Sequence, residues 1–257
     1  MTRRNIVLPR RRFLTGAALG AGGLMLSGCD MLSGNESFRK VLRNAETLNK
    51  VSQRLIGDRA ALAREFSASD ISPTFKANGS ISGATPEYAA HVANGFADWR
   101  LVIDGLVTKP LSLSLAQLMA MPSREQITRH DCVEGWSAIG KWRGTPLGML
   151  LKAAGLSTRA RYVIFHCADS FGADPYYESI DLFDAFHPQT ILAWGMNGGT
   201  LPVRHGAPLR LRVERQLGYK HAKYVMQVEA TDSLARFGQG KGGYWEDRHD
   251  YEWYAGI

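Results

Sequence analysis

Residues 126–144 read Gln-Ile-Thr-Arg-His-Asp-Cys-Val-Glu-Gly-Trp-Ser-Ala-Ile-Gly-Lys-Trp-Arg-Gly, and the fold is read outward from the cysteine among them, Cys132. Residues 126–131 have the look of a strand that delivers Cys132 at its end. The chain holds three cysteines, and two of them have histidine close by, as His130-Asp131-Cys132 and His166-Cys167. Three chemistries suit that arrangement. Cys132 and Cys167 can form a disulfide in an oxidising compartment. They can join His130 and His166 in a two-Cys, two-His site for zinc or copper. Or one of them alone is a thiolate ligand or nucleophile and the other is simply buried. Spacing does not choose among these, and the Cys-x-x-Cys of the usual zinc pattern is absent.

A second cluster lies far along the chain. His205-Gly206-Ala207-Pro208-Leu209-Arg210 is followed by Gly218-Tyr219-Lys220-His221-Ala222-Lys223. Glycines let the backbone approach a ligand closely, and cationic side chains beside free amides suit a phosphate or a similar anion. A solvated basic face is the alternative. Neither a Gly-x-Gly-x-x-Gly nor a P-loop occurs, which argues against a common dinucleotide or nucleoside triphosphate.

Around these clusters, strands are expected at residues 99–107, 162–167, 190–196, 209–213 and 224–230. Asn197-Gly198-Gly199 marks a tight turn. Ser114 is a suitable N-cap for a short helix to about Ala120, which Pro122 prevents from continuing. Gly144-Thr145-Pro146 opens a helix through Ala154, and Gly155 stops it. A short helix is expected at 180–186. Strands outnumber helices and do not alternate with them regularly, so the class is α+β with mixed sheets. Ahead of this domain, Phe38, Val41, Leu42, Ala45, Leu48, Val51, Leu55, Leu62 and Phe66 recur at helical steps, predicting a helical arm across 30–66. Residues 67–83 read as loop.

The 257 residues carry a formal charge of +7, and no basic run interleaves with aromatics, so nucleic acid is not expected as a partner. Residues 1–29 read as an export leader. Arg10-Arg11-Arg12-Phe13-Leu14 precedes an apolar stretch too short to span a membrane, a layout similar to twin-arginine signals, whose pathway carries folded proteins. Leu26-Ser27-Gly28-Cys29 resembles a lipoprotein box, with Cys29 lipidated. Asp30 resembles an inner-membrane retention signal. The expected location is the periplasm, on a lipid anchor.

Cys132-Val133-Glu134-Gly135-Trp136-Ser137 with Trp142-Arg143-Gly144 resembles the metal-cysteine segment of the sulfite oxidase-type molybdenum enzymes. It looks closest to the bacterial branch containing the periplasmic protein-methionine-sulfoxide reductase catalytic subunit. Asn197-Gly198, Leu201-Pro202 and His205 to Arg210 resemble the family's second pterin-binding stretch. Lys220-His221-Ala222-Lys223 resembles the segment that closes on the pterin phosphate. The resemblance spans about residues 99–230. It implies a molybdopterin-binding domain over residues 67–257 and a Mo-molybdopterin cofactor with Cys132 as the protein ligand to molybdenum. It further implies that His205 and Arg210 hold the pterin, that Lys220, His221, Ala222 and Lys223 surround its phosphate, and that Asn78, Cys167 and Asp169 make further contacts. Tyr176 or Tyr177 would stand as the active-site tyrosine. The chain departs from the methionine-sulfoxide branch at Gly135, where that branch has alanine, and at Cys167, often threonine there.

The function so implied is oxygen-atom transfer on a small sulfite- or sulfoxide-like substrate. The chain has no Cys-x-x-Cys-His haem motif, so a separate cytochrome is the expected electron partner. Two readings from other classes compete with it. One is a lipoprotein zinc- or copper-binding module using His130, Cys132, His166 and Cys167. The other is a cofactor-free binding lipoprotein.

Overall fold

The computed structural model of the protein describes residues 61–257 and, ahead of them, residues 35, 37–38, 45, 47–48 and 50–54. The expected leader at 1–29 lies outside the described residues. Two compact units divide the chain, residues 1–57 and 58–257. In the first, the described residues 37–38, 45, 47–48 and 50–54 are helical, as the periodicity predicts. Asn35 starts that helix by accepting from the backbone N–H groups of Ser37 (2.9 Å) and Phe38 (3.3 Å). Val41, Leu42 and Leu55 of the expected arm lie outside the described residues.

The described residues of the second unit form ten strands in two sheets. One runs β2 (Leu111–Ser114), β1 (Arg100–Gly105), β10 (Val225–Thr231), β5 (Tyr162–Phe171), β6 (Asp174–Asp181). The other runs β3 (Arg124–Asp131), β4 (Ser137–Pro146), β7 (Ile191–Met196), β8 (Gly199–Thr200), with β9 (Arg210–Arg212) also on β7. All pairings are antiparallel except β1 with β10, which sets Val102 opposite Gln227. Five short helices intervene: α1 (Pro86–Ala93), α2 (Leu115–Ala120), α3 (Leu147–Ala153), α4 (Leu182–Ala185) and α5 (Tyr244–His249). The class is α+β with mixed sheets, as expected.

Local chemistry explains several boundaries. Ser114 Oγ accepts from Gln117 N (3.2 Å) while Gln117 Oε1 accepts from Ser114 N (2.8 Å), a reciprocal box that starts α2. Asn197 (φ 51°) and Gly198 (φ 86°) both take the left-handed conformation that a two-residue hairpin between β7 and β8 requires. In β1, Leu101 and Ile103 are buried while Arg100 and Val102 face out. Leu101 and Ile103 join Val163, Phe165, Leu192, Leu211, Val228 and the α3 leucines in one core fed by both sheets.

The structure corrects three expectations. Residues 61–66 are not helical: Glu65 makes an isolated bridge to Thr128, and Phe66 N donates to Ile127 O at 2.9 Å, at the edge of β3. Gly144, Thr145 and Pro146 finish β4, and the helix begins only at Leu147. Ile180 belongs to β6, and the helix after it starts where Asp181 caps Asp184 N at 3.0 Å.

Gly144 is where β4 and β7 press together. A Cβ there would lie 2.3 Å from the Leu192 carbonyl oxygen and 2.6 Å from Ala193 Cα, backbone atoms that no rotamer can move. Gly144→Ala is expected to cost about 2 kcal/mol through overpacking. For a unit of this size that lowers Tm by roughly 4–8 °C in thermal unfolding followed by circular dichroism. An unchanged Tm would contradict this strand packing.

Candidate active site

The β3–β4 connection places Cys132. Cys132 N donates to Trp136 O and Gly135 N to Cys132 O, each at 2.9 Å, and Gly135 closes the turn at φ 85°. The thiol is free and half-buried. Asn78 Nδ2 points at its sulfur from 3.6 Å. Two residues on, Glu134 accepts from Trp136 Nε1 (3.1 Å) and Lys76 Nζ (3.3 Å). Hydrogen bonds from Asn78, Trp136 and Lys76 hold that exposed carboxyl below its usual range.

Beyond the cysteine lies a buried cationic floor. Arg210 and Arg212 both lie over the Trp142 ring, at 5.4 and 4.3 Å from its centroid. Arg212 is answered: Glu214 accepts from its Nε (2.8 Å) and Nη2 (2.6 Å). Its Nη1 reaches His130 Nδ1 at 3.1 Å, so Nδ1 accepts and Nε2 of a neutral His130 carries the proton. Arg210 is not answered. Its Nη1 donates to the His205 carbonyl at 3.3 Å, and its buried Nε has no partner. Burial, then the charge of Arg212, pushes Arg210 down to about 9.

Lys223 Nζ donates to the carbonyls of Asn78 (2.7 Å) and Ser80, and burial followed by Arg210 brings it down to about 8. Asp169 accepts from Ser80 through one oxygen and leaves the other without a partner. Burial raises Asp169 to about 6. His221 donates from Nε2 to the Gln216 carbonyl at 3.0 Å, and burial with Arg212 and Arg210 keeps its ring neutral. His205 is pushed to about 4 by burial and then Arg210, and its Nδ1 has no partner.

These groups gather around one open cavity. Of the residues expected from the sequence, Cys132, Asn78, Asp169, Tyr176, Arg210, His221 and Lys223 line it. His205 stands behind Arg210 and packs edge-on against Phe75, with ring centroids 5.7 Å apart. Gly218 is needed at the wall, because a Cβ there would come within 2.5 Å of the His130 ring.

Other expected residues are elsewhere. Cys167 and Tyr177 line a second cavity, on the other side of Tyr176, which borders both. The Cys167 sulfur faces the Phe165 carbonyl at 3.7 Å, and burial raises its thiol well above the ordinary value. Tyr177 donates to Asp247 (2.5 Å). Lys220 turns away from the first cavity into a fully buried ion pair with Glu178 and with Glu246 (2.6 Å). Ala222 is buried and offers its carbonyl to Leu211 N at 2.8 Å.

The two-Cys, two-His site does not form. His130 and Cys132 face the first cavity, while His166 and Cys167 face the second, where His166 Nε2 engages Glu229 at 3.0 Å. Among the described residues no cluster of three His, Cys, Asp or Glu is placed to hold a metal, and both cysteines are free of a disulfide. Lys76, Glu134, Trp136, Tyr219, Trp245 and Tyr251 line the cavity without having been expected. Glu134 and Lys76 lie two positions from Cys132 and Asn78, and that spacing was the available signal.

Residues 86–236 match the family model described as the oxidoreductase molybdopterin binding domain. A chain from Azospira oryzae, provisionally named a protein-methionine-sulfoxide reductase subunit, is 39% identical over 253 residues, covering 98% of this chain and 89% of that one. Catalytic subunits of protein-methionine-sulfoxide reductase from Xanthomonas campestris pv. campestris and Gluconobacter oxydans are 37% and 40% identical over 147 residues. Those alignments cover 53% and 52% of this chain and 46% and 47% of the relatives, so the match spans about half the length of these catalytic subunits. Among solved structures, the sulfane dehydrogenase SoxCD of Paracoccus pantotrophus is similar at a TM-score of 0.49 and 26% identity, over 53% of this chain and 39% of that one.

The buried groups predict opposite pH signatures. His205 has a depressed value, so its contribution is present above about 6.5 and lost as pH falls toward 4. Asp169 has a raised value, so its contribution is present below about 3.8 and lost as pH rises through about 6. In cofactor-free protein, wild type should lose stability relative to His205→Gln as pH drops from 6.5 to 4. It should gain relative to Asp169→Asn over the same interval. Urea titrations at stepped pH measure both differences, and equal slopes would refute the assignments.

Proposed function

This chain belongs to the sulfite oxidase-type family of molybdopterin-binding oxidoreductases, and we propose that Cys132 is its molybdenum ligand in an enzyme that reduces a small organic sulfoxide. The cofactor of the family is Mo-molybdopterin. The residues present fit such a group. Arg210 Nε, His221 Nδ1 and one oxygen of Asp169 are buried polar atoms that lack partners, on residues that line the cavity. Leaving such atoms unsatisfied is costly, and a phosphate-bearing, amide-rich pterin supplies both acceptors and donors. The soft sulfur of Cys132 is the donor type that suits molybdenum beside a dithiolene.

When bound, the cofactor supplies two-electron oxygen-atom transfer. The chain does the rest. Cys132 holds the metal, and the Asn78 amide faces its sulfur. Arg210, Lys223 and neutral His221 form the cradle for the organic part, with His205 behind Arg210. His130, fixed by Arg212, keeps an N–H on Nε2 that can bind an oxygen on the substrate. Tyr176 walls the cavity with its hydroxyl committed to the Tyr219 carbonyl at 2.8 Å, and burial keeps it a phenol.

The observation that carries the choice of substrate is the charge at the opening. Lys76 is paired with Glu134 beside Cys132, and half-buried Trp136, Trp245 and Tyr251 line the rest. A charge-balanced Lys–Glu pair with aromatic rings suits a neutral sulfoxide better than anionic sulfite. The names of the relatives point the same way. Electrons come from a separate cytochrome in this proposal. The twin-arginine-like leader and the lipobox at Cys29 support loading in the cytoplasm, export as a folded protein and a lipid anchor at the periplasmic face of the membrane.

Protein from a molybdenum-replete host should contain molybdenum and a releasable pterin, and should show a Mo(V) electron paramagnetic resonance signal on partial reduction. Cys132→Ala should abolish that signal and bring turnover to background, while Cys167→Ala keeps both. Asn78→Ala should lower activity roughly 10- to 100-fold, as loss of a group that orients a metal ligand does. With a reduced viologen as donor, dimethyl sulfoxide should be consumed faster than sulfite is oxidised with ferricyanide as acceptor. The reverse order would overturn the sulfoxide assignment.

A further inference from the structure

Residues 238–257 lie beyond the span matched by the family model, yet they complete the cavity. Trp245 and Tyr251 line it, stacked on each other with ring centroids 5.7 Å apart. Trp245 also meets Phe171 at 5.2 Å, and Tyr251 meets Tyr219 at 5.1 Å. One side of the opening is thus a continuous aromatic surface drawn from β5, the 218–220 turn and the C-terminal segment.

The fastening of that segment is buried and ionic. Glu246 of α5 accepts from Lys220 Nζ at 2.6 Å, and Lys220 also pairs with Glu178 of β6, all three side chains being sealed from solvent. Asp247 accepts from Tyr177 Oη (2.5 Å), Gln239 N (2.8 Å) and Lys241 N (3.1 Å). Farther on, Leu217 N donates to Ala255 O at 2.9 Å and Ile257 N to Arg215 O at 3.1 Å. Buried charges are expensive unless each is answered, so removing one partner of such a group disturbs everything attached to it. The neighbours of Lys220 in the chain, Tyr219 and His221, face the cavity, whereas Lys220 faces the segment.

We infer that Trp245 and Tyr251 are specificity-determining residues that select a sulfoxide carrying an apolar or aromatic substituent, and that Lys220 is a positioning residue that fixes this wall and does not grip the cofactor. The first half rests on the sulfoxide reading above; the second does not. Aromatic rings attract aryl groups and polarisable sulfur and offer no cation to an inorganic oxyanion.

The test uses the full-length, cofactor-loaded enzyme. Trp245→Ala and Tyr251→Ala should each lower the kcat/KM preference for methyl phenyl sulfoxide over dimethyl sulfoxide by about tenfold. An unchanged preference overturns the wall. Lys220→Met should speed hydrogen exchange of the 238–257 amides and weaken the same preference, while the pterin released per mole of protein stays at the wild-type level. Loss of pterin with unchanged exchange would return Lys220 to the cofactor and overturn its positioning role. If Lys220→Met does not fold, Glu246→Gln, which removes a charge and keeps the shape, reads the same quantities. A wild type inactive on every sulfoxide would sink the functional reading, yet the exchange and pterin measurements would still decide Lys220.

Discussion

Two guanidinium groups lie buried over one indole, and only one of them has a counter-charge. Arg212 is held by Glu214 and in turn fixes His130, while Arg210 is left with a single carbonyl partner and an orphaned Nε. Both arginines hang on Trp142, whose own contacts with Ile191, Ala193 and Met196 join β4 to β7. An unanswered cation in a dry interior is tolerated only when the rest of the fold over-determines its position. The second sheet does that by packing Arg210 and Arg212 on neighbouring alternate positions of β9, the short strand on β7. That orphaned Nε is what the proposed cofactor would satisfy, and its binding would add to the stability of the fold.

The electrostatic design follows from this. His205 and His221 sit among cations and stay neutral, so they contribute directed donors and acceptors without adding to the repulsion. Negative charge is rationed. Asp169 lies beside Lys223 with its carboxyl raised, and Glu134 stays ionised only where water and Lys76 reach it. The floor thus carries an excess of positive charge, while at the opening Lys76 and Glu134 balance each other.

Much of this was legible in the residues. Cys132, Arg210, His221 and Lys223 stand in short motifs, and side chains at those positions converge on one cavity. The alternation in β1 and the Asn-Gly turn after β7 follow from backbone geometry alone. Strand β6 was hidden because its buried members include Glu178 and Ser179, polar groups whose burial depends on Lys220 and the Gly242 carbonyl, partners far away in the chain. Lys220 was misplaced for a related reason. Within a tight 3-10 turn, adjacent residues point in different directions, and nothing in a basic motif says which of its members face a ligand. Residues 61–66 kept helical spacing but were recruited by the open edge of β3, where unpaired backbone groups outweigh a weak local preference.

The parallel pairing of β1 with β10 has a consequence for how the enzyme is made. Val102 finds its neighbour Gln227 only near the end of the chain, and β10 also joins β1 to β5. The chain as far as β10 must therefore have left the ribosome before that sheet can close. Cys132 emerges before Lys223, so the two ends of the cradle meet only once the chain as far as Lys223 is out. In the proposed function, delivery of the prosthetic group would have to wait until β10 has docked between β1 and β5.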